Sequence, residues 1–264
     1  MEYELIKLNT ARNSLRYIIK AYEIKEIYIP YYICPSVRGA VFKENCKILY
    51  YHIDKDFYPV SNFPEDAFIL YPNYYGVCSL IADELSKKYQ NIIIDNAHSF
   101  YSKPKGIASF NSLRKFFPIL RNGSFLYTRK KIDINLIKDD FKYKPEVLSY
   151  KDLCENENIL DLEDIKYISD SSVQIYESIN IEEEKEVRVN RFNYWNKRLN
   201  GNIKLQEDEV PFSYPYIAKN IKEADVLVCE LENEGINIFK YWNNLPDKFP
   251  EKIFYTNLVS IPLS

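Results

Sequence analysis

Between residues 11 and 128, short apolar runs alternate with amphipathic stretches, and this alternation admits few folds. "EIYIP" (26–30), "KILYYHI" (47–53), "AFILYP" (67–72), "NIIID" (91–95), "GIASF" (106–110) and "GSFLYT" (123–128) read as strands. "ARNSLRYIIKAYEI" (11–24) reads as a helix, with Leu15, Ile18, Ile19 and Tyr22 on one face and Asn9 and Thr10 as capping candidates. "PSVRGAVFKEN" (35–45) opens on a proline suited to a first helical turn, and "SLIADELSKKY" (79–89) has helical spacing. Strand and helix in alternation need crossover connections. The sequence therefore predicts an α/β fold, a mostly parallel sheet sandwiched by helices. "IIID" is apolar without a break, as a strand buried on both faces must be.

Beyond residue 130 the character changes. Residues 130–167 are polar and irregular, then helical. Residues 171–200 predict one long helix or two in series, with the acidic run 182–184 on a solvated face. "VPFSYPYIAK" (210–219) reads as a strand, "IKEADVLVCELENEG" (221–235) as a helix closed by Gly235, and "INIFKYW" (236–242) as a strand. The expected division is a large domain over 1–170, then a long connecting helix and a small C-terminal α+β domain over 171–264.

Composition narrows the function. The chain has 264 residues, 46% of them hydrophobic, which is enough for a substantial core. A net charge of -3 argues against a nucleic-acid partner or an anionic membrane surface. No apolar run approaches the roughly 20 residues that span a bilayer. The start, "MEYELIKLNTARNS", is charged and lacks a signal-peptide core, so a cytoplasmic location is expected. Cys34, Cys46, Cys78, Cys154 and Cys229 contain no C-x-x-C pair, so reduced, mostly buried thiols are expected. Trp195 and Trp242 read as core or interface residues.

The chemistry concentrates at "IIIDNAHSF" (92–100), which carries one of only two histidines. In parallel sheets ligands gather at the carboxyl ends of strands, where Asp95 falls. A hydrolase triad would need a nucleophile, and no G-x-S-x-G is present. A metal would need more ligands than Asp95 and His98, so no metal is expected. An aromatic cofactor fits the pair, the acid meeting a ring nitrogen and the imidazole contacting the ring. Pyridoxal 5'-phosphate (PLP) requires such an acid to keep its ring protonated. It also requires an anion cradle at a helix N-terminus, which "NTARNS" (9–14) supplies with Thr10, Ala11 and Arg12. It requires a lysine as well. Lys115 in "SFNSLRKFFPILRNGSF" (109–125) follows a serine-bearing strand, near Ser112, and adjoins an aromatic run that lowers an amine's pKa. Tyr31, Tyr32 and Cys34 are candidates to pack over the ring, or simply core.

These residues resemble the PLP-dependent nucleotide-sugar aminotransferases of the DegT/StrS group, whose architecture is fold type I. "TARNSL" is similar to that family's phosphate loop, "IYIPYYICPSV" to its Pro-x-Tyr-Thr-Cys-Pro strand end, and "YPNYYG" to its Asn-Tyr-Phe-Gly segment. "IIIDNAHSF" is similar to its Asp-x-Ala-His/Gln segment, and "SLRKFFPILRNGSF" to its Ser-x-Arg-Lys segment. "RFNYWNKRL", "VPFSYPYIAK", "ENEGINIFKYW" and "LVSIPLS" resemble its small domain. Ala11 and Asn122 stand where that family has glycine, and its Asn-Tyr-Arg segment has no clear counterpart in 129–170.

The resemblance implies that Lys115 holds PLP in a Schiff base and then moves the proton, while Asp95 meets the pyridine nitrogen. It implies that Thr10, Ala11, Arg12, His98 and Ser112 bind the cofactor. It also implies a homodimer acting on a keto-sugar carried on a nucleotide, with an amino-acid donor. Two other readings stay open. One is a shortened, non-catalytic homologue that binds a sugar nucleotide or a partner protein. The other is a glycosyltransferase, for which no D-x-D motif is seen.

Overall fold

The computed structural model describes residues 2–140, 157–207, 209–242 and 245–263. Cys154 and residues 141–156 of the polar stretch lie outside the described residues.

The strands are β1 (Glu4–Leu8), β2 (Glu26–Pro30), β3 (Lys47–Ile53), β4 (Pro59–Val60), β5 (Ile69–Pro72), β6 (Ile92–Asn96), β7 (Ala108–Asn111) and β8 (Ser124–Thr128). They form one eight-stranded sheet in the order β1-β8-β7-β6-β5-β2-β3-β4. From β7 to β3 every neighbouring pair is parallel. β8 and β1 close one side antiparallel, and β4 closes the other. The mostly parallel α/β sheet is the predicted one. β6 is buried at all five positions, as its unbroken apolar run requires. β1 lies hidden in the charged N-terminal stretch. As an antiparallel edge strand it needs only alternate residues inside, and its exposure runs from Glu4 to a fully buried Leu8.

Helices cover the sheet. α1 (Ala11–Ala21) is capped by Thr10, whose hydroxyl accepts from the Asn13 amide at 3.1 Å. It ends before Tyr22, short of the predicted limit, and buries Leu15, Ile18 and Ile19. α2 (Pro35–Lys43) starts on its proline, and α3 (Ser79–Lys88) buries Ala82 and Leu85. The short α4 (Leu113–Phe116) follows β7.

Residues 171–200 resolve into two helices, α5 (Asp170–Glu177) and α6 (Ile181–Arg198). Glu182, Glu183 and Glu184 fall in the first turn of α6, where the helix dipole favours acids. β9 (Ser213–Ile217) and α7 (Ile221–Asn233) form as expected, and Gly235 follows α7 with φ 82°. The strand expected at 236–242 does not form. β9 pairs instead with β10 (Leu258–Pro262), antiparallel. Trp242 has φ 53°, a left-handed turn that ends any extended run, and its ring goes to His98 rather than to a ladder. Phe192, Trp195, Tyr214, Leu231 and Ile261 make a core for this C-terminal region.

A second contact ties that region back to the sheet. Glu251 is fully buried, and its carboxylate accepts from the Ile53 amide and meets His52 Nδ1, each at 3.0 Å.

Candidate active site

β6 and β7 end side by side, with Asp95 opposite Phe110 in register. Beyond their carboxyl ends lies a cavity lined by Thr10, Ala11, Arg12, Asp95, Ser112 and Lys115, drawn from three separate segments. His98 is not part of this lining. It lies behind, its ring stacked on Phe212 at 4.6 Å and 14° and on Trp242 at 5.6 Å and 8°.

At the inner end, Asp95 Oδ1 accepts from the Ala97 amide at 2.8 Å. Burial raises its pKa, opposed by Lys115 and by that hydrogen bond. Burial lowers the pKa of Lys115, opposed by Cys34 and Asp95. The amine therefore gives up its proton more readily than an exposed lysine does. Lys115 Nζ sits 5.9 Å from the centre of the Phe212 ring. Burial first, and then Lys115, push His98 well below its ordinary value, so it is neutral. Its Nδ1 accepts from the Tyr75 amide at 3.4 Å, which assigns the proton to Nε2. Among the described residues, Nε2 is buried without a hydrogen-bond partner. The close approach beneath it depends on Gly76. At φ 76°, a Cβ there would lie 2.3 Å from the His98 carbonyl oxygen.

At the outer end stands the N-terminus of α1. Ala11 is its first residue, and its φ is not positive, so the backbone here needs no glycine. Arg12 is buried, with Nη2 on the Glu157 carboxylate at 2.5 Å and Nη1 on that of Asp161. Arg114 Nη2 also holds Glu157, at 2.6 Å. Residues 157–162 are helical, and the buried Leu160 lines the cavity below these pairs. The enclosed space is about 50 Å³, room for a few waters.

The second departure from glycine is also absorbed. Asn122 is buried, donates to Asp139 Oδ2 at 2.7 Å, and accepts from the Ser172 hydroxyl at 2.9 Å. Of the aromatic candidates, Tyr32 is core: its hydroxyl meets that of Tyr75 at 2.8 Å. Tyr31 stacks on Tyr50, and Cys34 lines the cavity. Sequence reasoning missed Arg114, Glu157, Leu160 and Asp161. The last three come from a stretch with no periodic signal.

No protein-family model matches the chain, and no curated protein matches it in sequence. Solved structures do match. A DegT DnrJ EryC1 StrS aminotransferase from Brucella abortus is 13% identical, with a TM-score of 0.63, over 99% of this chain and 81% of that one. The PLP form of the sugar aminotransferase Spr1654 from Streptococcus pneumoniae is 13% identical, with a TM-score of 0.60, over 98% and 81%. Helicobacter pylori PseC, an aminotransferase in pseudoaminic acid biosynthesis, is 15% identical, with a TM-score of 0.62, over 98% and 81%. The fold is that of the sugar aminotransferases. Among the described residues, no helix is long and apolar enough to cross a membrane.

Proposed function

We propose that this chain is a PLP-dependent aminotransferase. It transfers an amino group from an amino acid to a keto-sugar carried on a nucleotide, in amino-sugar or surface-polysaccharide biosynthesis. The observation that carries this reading is the meeting of Asp95, Lys115, Ser112 and the α1 N-terminus around one cavity.

The donor set fits the cofactor. Arg12, at a helix N-terminus, already holds two carboxylates, which stand in for the anionic oxygens of a phosphate. Asp95 offers a buried carboxylate to a ring cation, and that cation offsets the desolvation raising its pKa. His98 stands behind the lining, its ring held between Phe212 and Trp242, and supports the site from there. When bound, PLP supplies an electron sink for the substrate's bond electrons. Lys115 takes and returns the proton, and Phe116, Phe117 and Phe212 exclude water from it. The large domain over 1–170 holds the cofactor, and 171–264 covers it. The working form is a homodimer in the cytoplasm, following the family resemblance.

A second reading, a non-catalytic homologue that binds a sugar nucleotide or a partner protein, is favoured by the occupied Arg12 and the small cavity. Borohydride reduction with PLP, followed by peptide mapping, separates the two. The expected pyridoxyl label lies on Lys115 and is absent in Lys115→Ala. Lys105 is not a rival, because it pairs with Asp83 at 2.7 Å. Folded protein that takes no label on any lysine would establish the second reading.

A further inference from the structure

Arg188, on α6, is 1% exposed. Among the described residues no carboxylate forms an ion pair with it, and its Nε is buried without a partner. An unpaired buried guanidinium is costly, so its contacts need a reason. Nη2 donates to the Phe116 carbonyl at 2.9 Å, and Nη1 donates to the Phe212 carbonyl at 3.3 Å. The guanidinium also covers the Phe116 ring, 4.6 Å from its centre.

Both acceptors adjoin the site. Phe116 is the residue after Lys115 and the last of α4, where helix carbonyls lack partners. Phe212 is the aromatic wall that faces Lys115 Nζ and stacks on His98. We propose that Arg188 is a positioning residue. It fastens the backbone of Phe116 and of Phe212 to one rigid group, and so fixes the gap in which Lys115 stands. An apolar residue of equal size would pack as well but would leave both carbonyls unpaired. The consequence for catalysis rests on the proposed role of Lys115, whereas the fastening itself does not.

The test reads Lys115 without cofactor. The charged and titratable groups facing this amine are Cys34, Asp95, Arg114, Glu157 and His98. Competitive acetic anhydride labelling across pH, with mass spectrometry of the Lys115 peptide, gives its titration midpoint. In the wild-type protein the midpoint lies below that of exposed lysines. In Arg188→Met and Arg188→Gln it moves up toward them, because the walls part and water enters. Trapping of PLP on Lys115 by borohydride slows about tenfold or more, as displaced reacting groups do. Phe192→Leu, on the same helix in the C-terminal core, lowers the melting temperature and leaves the midpoint unchanged.

A folded Arg188 variant, Met or Gln, with the wild-type midpoint and trapping rate overturns the proposal. So does a Phe192→Leu protein that shifts the midpoint equally. If PLP never attaches to the wild-type protein but the midpoint still moves in the Arg188 variants, the cofactor reading falls and the fastening stands.

Discussion

The two ends of the cavity are built on opposite rules. At the inner end, Lys115 is held in low-dielectric surroundings that Cys34 and Asp95 only partly offset, and behind the lining His98 Nε2 has no partner among the described residues. At the outer end, Arg12 and Arg114 are satisfied by acids of the same chain. A ligand therefore completes the inner end but has to displace something at the outer end. On the proposed function, the inner end would set what chemistry is available, and the outer end how tightly an anion is admitted.

Breaking the inner end has the largest effect. Asp95→Asn preserves shape and most hydrogen bonding but removes the negative charge from a buried position. Turnover of amino donor is expected to fall about 10²–10³-fold, the usual scale for a lost electrostatic contact to developing charge. Circular dichroism should stay unchanged. Near-wild-type turnover in that variant would remove Asp95 from the reaction.

Loosening the outer end works in the other direction and is smaller. The Glu157 and Asp161 side chains are 37% and 54% exposed, so each pair with Arg12 is worth about 0.5–1 kcal/mol after solvent screening. Releasing both, in Glu157→Gln with Asp161→Asn, should tighten binding of inorganic phosphate and of PLP by roughly five- to thirtyfold in calorimetric titration. Unchanged or weaker binding would show that the acids do not compete for Arg12.

The smallest effect is on stability. The unfolded chain keeps the Lys115 proton up to the ordinary lysine value of 10.5, whereas burial makes the folded chain release it at lower pH. The contribution of this group to stability therefore rises with pH across that interval. Lys115→Met should melt above the wild-type protein at pH 7, with the gap narrowing as the pH approaches 10.5. A gap that is absent at pH 7, or that widens with pH, would contradict a burial-strained amine.

The same contrast marks what could be read from the sequence. The inner end is written in periodic elements. An apolar run places Asp95 at a strand end, and the aromatic pair after Lys115 marks it as enclosed, so both were legible from neighbours in the chain. The cap Thr10 was legible for the same local reason. The acids that hold Arg12 were not, because Glu157 and Asp161 are 145 and 149 residues away in sequence. Nothing in an aperiodic acidic stretch says which arginine it will meet. The strand misread at 236–242 has β composition, but composition alone does not make a ladder: β9 pairs with β10, and the run turns at Trp242, φ 53°. Arg188 looked like one more basic residue on a charged helix, since only the fold shows that it points inward.

The buried carboxylate of Glu251 has a consequence for the chain as it is made. Ile53 leaves the ribosome 198 residues ahead of the side chain that accepts from its amide. β4, made soon after β3, already pairs with its end, but until Glu251 emerges the Ile53 amide lacks the acceptor it has in the finished fold. Glu251 thus ties one of the last segments made to one of the first.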